Sequence, residues 1–148
     1  MTFFQDLWGN LPLRCAVTAW IAAQVIKVLL SLWLDKKLDW RRCFGMGGMP
    51  SSHTAFVFSL LIMIGRTEGV SSAAFALSFA LASVVIYDAM GVRAETGRQG
   101  KILNQIIRGV LIEGKPITEK ELKELVGHTP LEVLGGLCVG ALTALLMM

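Results

Sequence analysis

The sequence predicts an all-α integral membrane protein of four transmembrane helices, the second of them short, with amphipathic and short polar helices in the loop between the third and fourth spans. Three observations carry this. Of 148 residues 54% are apolar and 17% charged, against roughly 45–50% and about 25% in an ordinary soluble domain. The apolar residues gather into four runs, and the basic residues gather between those runs. One membrane domain over 1–148 suits the length.

The first run, Leu13 to Leu34, is 22 residues long, about 33 Å of helix against a hydrocarbon core of roughly 30 Å. A cleaved signal peptide fits it badly, because Asp6 precedes it and bulky LSLWLDKK ends it, where small residues belong before a cut. The second span, 51–65, is only 15 residues, about 22 Å, and crosses only if its polar start lies below the headgroups. The third, 70–88, and the fourth, 131–148, are long enough, and Gly135, Gly136 and Gly140 in the fourth allow close helix approach. Lipid leaves no alternative to helix for such segments.

Four spans place 35–53 and 91–130 on one side. These loops carry Lys36, Lys37, Arg41, Arg42, Arg93, Arg98, Lys101, Arg108, Lys115, Lys120 and Lys123, which is 11 of the 14 basic residues. The positive-inside rule turns both loops to the cytoplasm, with a bacterial inner membrane as the expected site. The 91–130 insertion holds an amphipathic stripe, Ile102, Ile106 and Val110 flanked by Leu103, Ile107 and Leu111, suited to the interface or to packing on the other helices. Thr118 with Glu121 reads as a capping box for a short helix ending near Val126 and Gly127. Thr129 as cap, Pro130 at the first helical position and Glu132 at the third open the last span.

Acidic residues nearly balance the basic ones, 11 against 14, and no nucleic-acid motif occurs. Cys15, Cys43 and Cys138 form no CxxC pair, so free thiols are expected rather than a disulfide framework or a zinc ribbon.

Candidate chemistry collects at one end. The only two histidines, His53 in GGMPSSHTAF and His128 in VGHTPLEV, both fall where a span begins on the same side. Ser51 or Ser52 caps the second span, leaving backbone N–H groups and the positive helix end as an anion site. Gly45, Gly47 and Gly48 let the chain approach a bound group. Lys27 lies inside the first span and must pair, snorkel or face a polar cavity. Asp88 ends the third span, where a carboxylate wants a basic partner such as Lys27 or Arg93. Glu132 either completes the cap or orients the imidazole of His128. Tyr87 and the four Trp are interface residues. Two histidines, several cations and few carboxylates suit an oxyanion better than a metal, which wants three or more matched ligands. Phosphoryl transfer fits, since its transition state spreads negative charge over equatorial oxygens.

These blocks, GGMPSSH, YDAMGVR and GHTPLEV, resemble the type 2 phosphatidic acid phosphatase superfamily, related to vanadium-dependent haloperoxidases, in its small divergent branch. The resemblance runs from Lys27 to Gly140. It implies that Ser51 holds phosphate and His53 acts as general acid, with Ser52 where the superfamily usually has Gly. It implies that His128 is the nucleophile, oriented by Glu132 where Asp is usual, and that Arg93, Lys27 and either Arg41 or Arg42 neutralise phosphate. Arg93 stands 35 residues before His128, well beyond the superfamily's short separation, so 91–130 reads as an insertion. No cofactor and no metal are called for. The expected activity is hydrolysis of a lipid or isoprenoid phosphate through a phosphohistidine. The alternatives are a non-enzymatic membrane protein binding anionic headgroups or a partner, and a phospho-alcohol transferase, for which the acidic residues fall short. The glycines of the last span suggest a homodimer.

Overall fold

The computed structural model describes residues 3–35, 48–91, 99–100, 102–103 and 128–148. It is helical, with no strand among the described residues: α1 (Phe3–Gly9), α2 (Leu11–Asp35), α3 (Ser52–Thr67), α4 (Ala73–Met90) and α5 (Pro130–Leu146). Each of the four apolar runs is a helix; the short α1 was not expected. Arg41, Arg42, Arg93 and Cys43 lie outside the described residues, as do Gly45, Gly47, the capping box at Thr118 and most of the amphipathic stripe. Of that stripe Ile102 and Leu103 are helical and exposed.

Local chemistry sets the helix ends. Asn10 starts α2 by accepting the Leu13 N–H on its side chain at 3.0 Å and the Arg14 N–H on its carbonyl at 3.0 Å. Ser51, rather than Ser52, caps α3. The expected start of the third span at residue 70 moves to Ala73, because Ser72 takes the Phe75 N–H at 3.1 Å and Gly69 turns the chain with φ +85°. At α5 the Thr129 hydroxyl and the Glu132 carboxylate form the reciprocal box, with Pro130 just inside.

Among the described residues two helices, Leu11–Trp33 within α2 and Ala73–Met90, are long and apolar enough to cross a membrane. The 16 residues of α3 and 17 of α5 give about 24 and 26 Å. The outer surface is apolar: Val17, Ile21, Val25 and Leu29 on α2, and Leu77, Leu81 and Val84 on α4, are exposed. Such a surface belongs against lipid rather than water.

Helix α3 is the centre. It packs on α2, α4 and α5, while α5 also meets α2 and, more lightly, α4. The backbones of α2 and α4 stay more than 8 Å apart, so one flank of α3 is left between them. Small residues make the seams: Ala19 and Ala23 of α2 meet Ala55 of α3, and Cys15 packs with Met63 and Ala144. A Cβ on Gly136 would stand 2.5 Å from the Ser51 carbonyl oxygen, and one on Gly140 2.7 Å from that of Ala55. The Gly136 and Gly140 pair, spaced four apart, therefore serves the α3 to α5 contact within the chain.

Candidate active site

The site is built where α3 and α5 begin and α4 ends. His128 precedes the α5 cap and is buried, 4% exposed. Its backbone N–H donates to the carbonyl oxygen of Ala89 at 2.9 Å, which ties it to the last turn of α4. Its Nδ1 lies 2.8 Å from Glu132 Oε2. The same carboxylate oxygen accepts the Thr129 N–H at 3.3 Å. Both sequence readings of Glu132 therefore hold together, since one side chain closes the helix start and fixes the imidazole. With Nδ1–H held by a carboxylate, the Nε2 lone pair is left for chemistry.

A second link joins the two helix starts. The Ser51 N–H donates to the Glu132 carbonyl oxygen at 2.9 Å. Ser51 is fully buried, and its Oγ accepts from the Thr54 N–H at 3.4 Å and the Thr54 hydroxyl at 2.9 Å. The geometry gives Ser51 a capping and latching role; Ser52 is also buried, at 3% exposure. Thr54 escaped the sequence reading, although its spacing of three from Ser51 is the N-cap to N3 spacing that could have indicated it.

Lys27 is 3% exposed. A Cβ on Gly48 would lie 3.6–3.8 Å from its Cγ, Cδ and Cε, so the chain leading into Pro50 and Ser51 runs along its stem, with Gly48 at φ +96°. The ammonium is held inside the protein rather than snorkelling outward along the lipid face. Eight further residues of α2, through Asp35, extend about 12 Å beyond Lys27, past the residue whose stem Gly48 approaches on the way into α3.

His53, in the first turn of α3, is exposed. It lines a groove of about 290 Å³ with Trp20, Phe56, Val57 and Val85. Val85, which lines the groove with His53, and Ala89, which accepts the His128 backbone N–H, are one turn apart on α4, about 6 Å along its axis. Asp88, half-buried, stands in that stretch beside Tyr87, which is exposed. Among the described residues no three His, Cys, Asp or Glu side chains come together.

The Divergent PAP2 family matches residues 8–143 of the chain. The chain is also similar to an uncharacterized membrane protein of Bacillus subtilis strain 168, YuiD, at 37% identity over 152 residues covering 96% of each chain. No solved structure matches.

Proposed function

The chain belongs to the Divergent PAP2 family, and on that premise we propose that it is a membrane phosphatase that hydrolyses the phosphate or diphosphate of a lipid or isoprenoid without a metal. One observation supports this most: a buried His128 whose Nδ1 is fixed by a carboxylate at 2.8 Å, the arrangement that prepares an imidazole for nucleophilic or acid–base work.

In this reading Nε2 of His128 attacks phosphorus, the P–O bond to the lipid breaks, and His53 delivers a proton to the leaving oxygen. Water then attacks the phosphohistidine, His53 takes its proton, the P–N bond breaks and phosphate departs. Lys27, Arg93 and one of Arg41 and Arg42 neutralise the oxygens, and Glu132 stabilises the histidine that has given up its lone pair. Helices α2, α3, α4 and α5 all span a bacterial inner membrane, with the site facing the cytoplasm; a start of α3 below the headgroups lets that short helix complete its crossing.

The test is phosphate release from dioleoyl phosphatidate by purified protein in EDTA. Wild type is expected to release phosphate and form an acid-labile phosphoprotein, and His128→Ala to do neither while eluting as a folded species. Equal activity in that variant would overturn the mechanism. Phosphatidate binding with no release would select the other reading, a protein that binds anionic headgroups without turnover.

A further inference from the structure

The flank of α3 that lies between α2 and α4 is a cleft, and its position gives it a use. Its floor is Phe56 and Val57 of α3, its walls are Trp20 of α2 and Val85 of α4, and His53 stands on the floor one turn nearer the helix start. The cleft opens where the backbones of α2 and α4 stay more than 8 Å apart; at about 290 Å³ it approaches the lower end, roughly 300 Å³, of ordinary ligand pockets. Apart from the imidazole its lining is apolar. It lies one helical turn from the candidate active site, since Val85 precedes by four residues Ala89, whose carbonyl accepts the His128 backbone N–H.

A second observation lies on the neighbouring face of α2. Gln24 is one turn beyond Trp20, and Lys27 and Ser31 follow at helical spacing, so Trp20, Gln24, Lys27 and Ser31 share one side of that helix. Lys27 and Ser31 are buried. Gln24 Oε1 is the one buried side-chain oxygen or nitrogen without a hydrogen-bond partner among the described residues. An orphan amide inside a membrane bundle is costly, and wants a partner the described residues do not supply. Phosphate monoesters, in the singly charged form, carry one O–H that can donate to it; choline diesters carry none.

We infer that this cleft seats one hydrocarbon chain of a phosphate-monoester lipid, with Trp20 and Val85 setting which chains are accepted and Gln24 accepting a hydrogen bond from the headgroup. The chain enters sideways from the bilayer, and its phosphate is thereby delivered past His53 toward His128. This rests on the phosphatase reading for its choice of lipid, but requires only binding.

The experiment uses the full-length protein in liposomes doped with either phosphatidate or phosphatidylcholine, each bearing the same diazirine on one acyl chain. After irradiation, mass spectrometry is expected to find the phosphatidate label on peptides containing Trp20, Phe56 and Val85 at least about fivefold above the phosphatidylcholine label. Val85→Trp should remove that excess. Val84→Trp, on the exposed face of the same helix, should keep it and so control for folding. Gln24→Leu should lower the phosphatidate signal several-fold while leaving the choline-lipid background unchanged. Equal labelling by the two lipids in wild type means bulk lipid only and overturns the proposal, as does an excess that survives Val85→Trp. Labelling needs no turnover: an excess in a protein that releases no phosphate would sink the enzyme reading and leave this one standing.

Discussion

The backbone N–H of Ser51 meets the carbonyl oxygen of Glu132 at 2.9 Å, so the start of α3 is fastened to the residue whose carboxylate holds His128. Two motifs separated by more than 75 residues are thus one mechanical unit, and Glu132 serves it twice, through its carbonyl and through its side chain. Glu132→Gln keeps an acceptor for the Thr129 N–H and keeps the carbonyl, yet removes the charge that supports an imidazolium. We predict a loss of kcat of about 100-fold or more, from the cost of neutralising the carboxylate of a histidine–carboxylate pair, with little change in thermal unfolding. Glu132→Ala should add a loss of stability of about 1 kcal/mol for the broken cap. Steady-state kinetics beside differential scanning fluorimetry in detergent separates the two.

Gly136 tests the same junction from the packing side. Its added Cβ would stand 2.5 Å from the Ser51 carbonyl oxygen and 2.8 Å from Thr54 Cβ, neither of which can swing away. Gly136→Ala should therefore push α5 off α3, costing about 1–3 kcal/mol as overpacking does, and lower activity with it. Gly135→Ala meets Met49 Cε and Pro50 Cβ at 3.3 Å; Met49 can give way, and the gain in helix propensity of up to about 1 kcal/mol offsets the rest. Its melting temperature should stay near wild type. A large loss in Gly135→Ala together with none in Gly136→Ala would contradict this packing.

The helix starts were legible because their causes are local. Thr129, Pro130 and Glu132 are close enough in sequence to announce α5, and the Ser51–Ser52 pair announces α3, with the choice of Ser51 as cap left to the structure. The third span began three residues late for an equally local reason, since Val70 is apolar but Ser72 is the capping group. What the sequence could not supply depends on neighbours. Hydropathy left Lys27 free to snorkel, pair or turn inward, and only the passage of Gly48 along its stem decides for burial. Likewise Gly136 and Gly140 read equally well as a contact between copies or within one, and α3 takes that face. The groove around His53 requires that α2 and α4 stand apart, and no spacing in a single helix encodes that.

Orientation gives a prediction independent of catalysis. With Cys15→Ser and Cys138→Ser in place, Cys43 is the only thiol left, and it lies in the basic first loop. A membrane-impermeant maleimide should label it in lysed but not in intact spheroplasts, because the lysines and arginines of both loops hold that side in the cytoplasm. Labelling of intact spheroplasts would reverse the topology and place the site outside.

His53 and His128 are assigned different work, and the leaving group separates them. A nucleophile is needed whatever departs, so His128→Ala should be inactive on every substrate. A general acid matters only when the departing oxygen is basic. On dioleoyl phosphatidate, whose leaving alkoxide must be protonated, His53→Ala should cost about 100- to 10,000-fold, the usual worth of a positioned acid. On p-nitrophenyl phosphate, whose phenolate leaves unaided, the loss in the first step should shrink to about tenfold or less by the same reasoning, and phosphoenzyme should accumulate because water lacks its base in the second step. The exposed position of His53 in the groove favours this division, since an acid must reach the lipid side of phosphorus while the nucleophile waits behind it. A single large loss shared by both substrates, without accumulated phosphoenzyme, would remove His53 from the acid role and leave it a residue of the groove floor.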